Sequence, residues 1–300
     1  MRLLIVFLFL TISISESCKN AAPSLSKDLE KAEKAFNDNP TDSTYNDYIT
    51  KVLEHFQNSP KGTDQSGILI KAAKASEQMK KLDQEIIFLN NIIKNYPNLE
   101  DNHNRIYRMI GLLHGTNRHS TADVMAVCYM SAYPEDPRNE ELKTRVPKAG
   151  TPQEYMMEIA RSIFADTLTG FNEAKARTYV DACEAYAMTL PKDPETPQFL
   201  FKAAETSNTL RTYEKSFSLY DWIIEQYPTH DRAPVSLFMK GFLFDGTLKD
   251  SANAAKFYTE FIEKYPSNPF AKDAKMLMQN LGKTDEEVLQ ELMKKGEANQ

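Results

Sequence analysis

Three of the five histidines in this 300-residue chain lie close together in sequence, at His103, His114 and His119. Imidazole nitrogens bind zinc and similar ions when the ligands converge with a fixed spacing, as in an HExxH helix. These histidines lack such a spacing, so the sequence predicts no metal site. The chain also lacks GxSxG, Walker-type and CxxC motifs, which mark nucleophilic, phosphate-binding and redox sites. We therefore expect a protein that is not an enzyme and that carries no cofactor.

Cys18 follows a short apolar run near the amino terminus. The run extends from Leu3 to Ser15, behind the single positive charge of Arg2. Its thirteen residues, as a helix rising ~1.5 Å per residue, cover about 20 Å, less than the ~30 Å hydrocarbon core of a bilayer. The sequence therefore predicts a signal peptide over residues 1–17 and a soluble mature body.

A cysteine at the end of such a leader resembles the lipobox of bacterial lipoproteins, with Ser17 as the small residue before the cut. The resemblance implies that Cys18 is lipidated and begins the mature chain, with residues 18–26 as a tether. It also implies the outer membrane, facing the periplasm. The residues before Ser17 depart from the lipobox pattern, which leaves open cleavage near Ala21-Ala22 and an unlipidated protein that is soluble in the periplasm or secreted.

The other cysteines, Cys128 and Cys183, stand in the apolar helical patterns VMAVCYM and DACEAYAM. Such patterns predict buried free thiols. An oxidising compartment also permits a disulfide between them, which the sequence alone does not decide.

The second half of the chain repeats the first. The stretch IIKNYP at 92–97 returns as IIEQYP at 223–228, and residues 60–97 align with residues 191–228 without a gap. Within each half, prolines recur at a nearly constant interval, at positions 60, 97 and 134 and again at positions 191, 228 and 266. A fixed period of roughly 20–50 residues indicates a repeat array.

Each repeat is predicted to form two antiparallel helices. Apolar residues recur at steps of three and four, which favours helix, and a proline closes each second helix because it cannot extend the hydrogen-bond ladder. Small residues mark places where helices approach closely, as at Ala72-Ala73, Ala203-Ala204 and Gly241. A single pair cannot bury its own apolar face, so neighbouring pairs must stack.

These features resemble the tetratricopeptide family, which has a small residue on each helix, an aromatic on the second helix and a proline after it. Before Pro266, Ala254, Tyr258 and Phe261 occupy the family's small, aromatic and packing positions. The period exceeds that of the usual tetratricopeptide repeat and is similar to the longer repeats of envelope lipoproteins in Gram-negative bacteria. The resemblance covers about residues 40–282.

The resemblance and the duplication predict an all-α, right-handed superhelix of stacked helix-turn-helix repeats in two related halves. The first half covers residues 27–134 and the second covers residues 171–282. Residues 135–170 connect them, and their prolines and glycine make this segment the best hinge candidate. Residues 283–300 are expected to form a capping helix and a polar tail.

The first helices of such an array line a concave surface that binds extended peptides or partner helices. The family geometry places groove residues on these helices, Asn104 and His114 among them. Six of them form the predicted partner-binding site: Tyr107, Gln198, Phe201, Glu205, Asn208 and Phe238. Aromatic rings exposed on a protein surface indicate a binding site whose partner covers them. The alternative is that the three rings pack between repeats.

The net charge of −6 argues against a nucleic-acid partner, which requires a basic surface. The family resemblance implies a protein-interaction scaffold of the cell envelope, active in outer-membrane or envelope protein assembly. Its expected partner is an envelope protein or peptide, and its contact with the membrane is through the lipid anchor only. The rival interpretation is a lipoprotein that binds glycans or small molecules for nutrient uptake.

Overall fold

The computed structural model describes residues 26–60, 63–165 and 170–283, together with residues 286, 287 and 290. The predicted signal peptide, Cys18, the tether up to residue 25 and most of the predicted capping segment lie outside the described residues. The residues that are described form helices and no strand, which confirms the predicted all-α class and a solenoid of helical repeats.

The α-helices of the described residues are α1 (Lys27–Asp38), α2 (Asp42–Asn58), α3 (Ser66–Gln78), α4 (Leu82–Asn95), α5 (Asn102–Gly115), α6 (His119–Ala132), α7 (Asn139–Arg145), α8 (Pro152–Ser162), α9 (Glu173–Thr189), α10 (Thr196–Thr209), α11 (Tyr213–Gln226), α12 (Arg232–Phe242), α13 (Ser251–Lys264) and α14 (Ala271–Gln279). A π-helical turn, Leu243–Thr247, continues α12. None of these helices combines the length and the apolar character needed to cross a bilayer.

Tight turns join the two helices of four helix pairs: α3 and α4, α5 and α6, α10 and α11, and α12 and α13. One residue in each turn has a left-handed backbone with φ between 54° and 61°: Lys80, Asn117, Arg211 and Lys249. The next amide then closes onto the end of the first helix, as where the N–H of Lys81 donates to the carbonyl of Ser76 at 2.8 Å. This is the Schellman arrangement, which satisfies carbonyls that a helix end leaves free.

The repeated Tyr-Pro motif at the end of second helices has a structural reason. The Tyr96 hydroxyl accepts a hydrogen bond from the N–H of Gln65 at 2.8 Å. The equivalent Tyr227 donates its hydroxyl proton to the carbonyl of Pro191 at 2.9 Å. Each tyrosine therefore ties the end of a second helix to the beginning of its own repeat, while the following proline stops the helix.

The duplication is visible in the helix bounds. α2 is offset from α9, and α4 from α11, by the same distance along the chain as the aligned stretches at 60–97 and 191–228, at both ends of each helix. α6 and α13 are offset by one position more at both ends, in agreement with a single insertion. The second half therefore repeats these second helices of the first in the same order.

The two halves pack directly against each other, with α6 on α9. Between α4 and α11, Lys94 Nζ lies 4.5 Å from the centre of the Trp222 ring and donates to the Ser218 hydroxyl at 3.2 Å. The Gln226 side-chain amide donates to the Lys94 carbonyl at 2.9 Å. In the connecting segment, α7 and α8 bury apolar side chains. A hinge at 135–170 stays a prediction.

Small residues allow close helix contacts, as the sequence predicted. Ala72 and Ala203 are fully buried on first helices. A Cβ atom added to Gly241 on α12 would lie 2.7 Å from the Tyr258 ring on α13, so only glycine fits there without a shift. The contact fixes the spacing of the last helix pair.

Candidate partner-binding face

The six predicted groove residues differ in exposure. Glu205 is exposed on α10. Three others are half-buried: Tyr107, Gln198 and Asn208. The remaining two, Phe201 and Phe238, are only 4% and 8% exposed. The expectation that these phenylalanines line a solvent-exposed groove is therefore wrong. Both rings pack between repeats, which is the alternative that the sequence left open.

Phe201 is covered by the next first helix. The Arg232 guanidinium lies 4.5 Å from the centre of the Phe201 ring, and its Nε donates to the Gln198 side-chain oxygen at 2.6 Å. On the other side, the Tyr220 ring centre is 5.7 Å away. The arginine shields the ring from water and joins α10 to α12.

Phe238 lies at the centre of an aromatic cluster where α12, α13 and α14 meet. Its ring centre is 5.3 Å from that of Phe270 and 5.6 Å from that of Phe261. The Tyr258 ring centre is 5.9 Å away. Such pairs stabilise a core beyond the area that they bury.

Two rings of this cluster reach solvent, and the sequence interpretation missed both. Phe242, one helical turn after Phe238, is 45% exposed, and Phe270, just before α14, is 40% exposed. Both stack on Phe238, with ring centres 6.3 Å and 5.3 Å away. The signal in the sequence was the spacing of four residues between Phe238 and Phe242, which places both on one helix face.

The equivalent region of the first half is polar. The Tyr107 hydroxyl donates to Glu141 Oε2 at 2.5 Å, which raises the pKa of this phenol. The Arg138 guanidinium lies 4.6 Å from the centre of the Tyr107 ring. Arg138 also donates to Asp136 and to Asn104 Oδ1, the latter at 2.7 Å. Its hydrogen bonds are the main reason that the pKa of Asp136 lies well below the usual range.

The duplication therefore kept the scaffold and changed its lining. The equivalent pairs are Tyr107 and Phe238, Tyr129 and Phe261, and Arg138 and Phe270. A pocket of about 180 Å³ lies beside Tyr107 and Gly111, and in the second half the Phe242 side chain stands at the position of Gly111. The first half thus has a pocket with a mixed polar and apolar lining where the second half has an exposed aromatic surface.

The structure brings together two of the three clustered histidines. His114 Nδ1 and His119 Nδ1 are 3.3 Å apart across the turn between α5 and α6, whereas His103 lies beside Tyr133. Within the described residues, no group of three or more His, Cys, Asp or Glu side chains is placed to hold a metal ion. Cys128 and Cys183 are free and fully buried, and burial raises the pKa of both thiols.

The chain contains tetratricopeptide repeats in both halves. Residues 68–99 and 235–268 match the family model of the tetratricopeptide repeat. The first match begins within α3 and spans α4, and the second begins within α12 and spans α13. A search of curated proteins found no match. Tetratricopeptide repeats generally mediate protein–protein interaction, and the proteins that carry them are typically scaffolds without enzymatic activity.

Proposed function

We propose that the protein is a non-enzymatic interaction scaffold whose second half binds a protein partner across Phe242 and Phe270. The observation that carries the proposal is the exposure of these rings above the buried Phe238. Contiguous apolar surface marks interaction sites on soluble proteins, and rigid aromatic anchors contribute most of the affinity of an interface. The stacking on Phe238 holds both rings in place before a partner arrives, which lowers the entropy cost of binding.

The chemistry of the two halves favours the second as the main site. In the first half, Tyr107, Arg138 and Glu141 already satisfy one another, so a partner would have to displace or desolvate paired polar groups. In the second half, a partner only has to cover apolar rings. The expected partner therefore presents apolar side chains, from a peptide segment or from a helix face.

The test compares matched double variants of the full chain. The partner is first recovered by affinity purification of the tagged wild-type protein and then purified. Changing Phe242 and Phe270 to alanine should weaken its binding by more than ~2 kcal/mol, because both anchors are removed. The control changes Leu53 and Ile87, which are exposed to a similar degree on second helices, and should leave affinity unchanged. Equal affinity of both double variants would place the site elsewhere.

We further propose that this scaffold works in the cell envelope, in the assembly of outer-membrane or envelope proteins, held by a lipid on Cys18. Support comes from the apolar leader and from the cysteine after Ser17. More than one acyl chain, at ~0.8 kcal/mol per buried CH₂, would make the attachment essentially permanent. The face described above would then point into the periplasm.

Changing Cys18 to alanine should move the protein from the membrane fraction to the soluble fraction, because the thiol that receives the lipid is lost. The circular dichroism spectrum of the body should stay the same, since position 18 lies outside the described residues, which form the helices of the body. Fractionation and incorporation of a labelled fatty acid provide the measurement. A wild-type protein found wholly in the soluble fraction, without label, contradicts the anchor.

A further inference from the structure

The turn between α5 and α6 brings two imidazole rings together, with ring centres 5.6 Å apart and the ring planes tilted by 43°. His114 lies in the last turn of α5 and His119 is the first residue of α6. The left-handed backbone at Asn117 reverses the chain between them. As a result, the two Nδ1 atoms point toward each other at 3.3 Å.

This distance, at the long end for a hydrogen bond, also matches the spacing of two nitrogens bound to one metal ion. Hydrogen bonds from nitrogen donors usually span about 2.7–3.2 Å. Two nitrogens bound at ~2.0–2.1 Å to a tetrahedral zinc ion lie about 3.3–3.4 Å apart. The pair therefore already has the ligand spacing of a tetrahedral site.

A carboxylate stands behind one of the two rings. Asp123 Oδ1 lies 3.7 Å from His114 Nε2, the nitrogen that faces away from His119. This Nε2 atom is buried and has no hydrogen-bond partner. In metal sites, a ligating histidine usually donates its second N–H to such a carboxylate, which fixes the tautomer and orients the ring. A shift of a few tenths of an ångström would complete this bond.

We infer that His114 and His119 bind one divalent transition-metal ion through their Nδ1 atoms, with Asp123 as the positioning residue for His114. Imidazole ligands select ions such as Zn²⁺, Co²⁺, Ni²⁺ or Cu²⁺ over Mg²⁺ and Ca²⁺, which prefer oxygen. Because the described residues offer no third side-chain ligand, water completes the coordination. In the second half, Asp245 and Ser251 stand at the positions of His114 and His119. We therefore expect one such site per chain.

Calorimetric titration of the full chain with Zn²⁺ tests this site, and the visible spectrum of bound Co²⁺ reports its geometry. We expect one ion per chain and an absorption typical of tetrahedral cobalt. His114→Gln and His119→Gln should each abolish saturable binding, whereas His103→Gln, on the same helix α5, should bind as the wild type does. Asp123→Asn should weaken binding by about 10- to 100-fold.

His119 is exposed, so its substitution should leave the fold intact. Loss of Zn²⁺ binding in this variant then reports the loss of a ligand and not unfolding. Unchanged Zn²⁺ binding in His119→Gln would overturn the inference, and so would binding of Mg²⁺ with the same affinity. Wild-type protein that binds no Zn²⁺ would also overturn it and would leave the two rings as a simple hydrogen-bonded pair.

Discussion

Replacing Phe238 with alanine is expected to lower the free energy of unfolding by about 3–5 kcal/mol, the usual cost of removing a buried phenylalanine ring. The ring joins α12 to α13 and to the beginning of α14 through its contacts with Phe261 and Phe270. Its loss opens a cavity that three helices cannot easily close. Urea denaturation followed by circular dichroism gives the measurement.

The matched control is Phe242→Ala, one helical turn away. Because Phe242 is half in solvent, its removal should change the free energy of unfolding by only about 0.5 kcal/mol. A similarly small effect for Phe238→Ala would show that the Phe238 ring is exposed in solution, as a groove residue would be. The pair thus separates the side chain that holds the scaffold together from the one offered to a partner.

Changing Gly241 to alanine is the second substitution with a large expected effect. The new Cβ would lie 2.7 Å from the Tyr258 ring, and Tyr258 is fully buried. The helices or the ring must therefore move, at a cost of about 1–3 kcal/mol. Leucine at this position should cost more than alanine. The shift in melting temperature and the urea midpoint provide the measurement.

At Gly111, in the first half, we expect an alanine substitution to have the opposite effect on stability. Gly111 also lies inside a first helix, but a Cβ there meets no atom within 4 Å. Gly111→Ala should therefore raise the free energy of unfolding by about 0.5–1 kcal/mol, because alanine is the better helix former. If Gly241→Ala also raises the free energy of unfolding, then the close contact between Gly241 and Tyr258 does not exist in solution.

The helices and their ends were predictable because local patterns determine them. The Tyr-Pro motif marks the ends of α4 and α11, and the small residues Ala72 and Ala203 mark helix contacts. These signals come from neighbouring residues in the chain and from a spacing that is repeated. For the same reason, periodicity, together with the duplication and the family resemblance, was enough to predict the all-α class.

Exposure on the first helices was harder to predict, because a helix inside an array contacts neighbours on several sides. Periodicity showed that Phe201 is on an apolar stripe, but it could not show that Arg232, from the next repeat, covers the ring. Contacts between distant parts of the chain were also invisible, as between Lys94 and Trp222. The approach of His114 to His119 depends on the backbone of the turn between them, which no spacing rule describes.

In the proposed function, a protein partner covers the exposed aromatic surface of the second half. The most direct measurement is photo-crosslinking in cells that express the full chain with a photoreactive phenylalanine analogue at position 242. The control carries the analogue at position 53, on α2, where Leu53 is 40% exposed. We expect one reproducible protein adduct from position 242 and none from position 53. Adducts from position 53 alone, or the same adducts from both positions, would contradict the proposed binding surface.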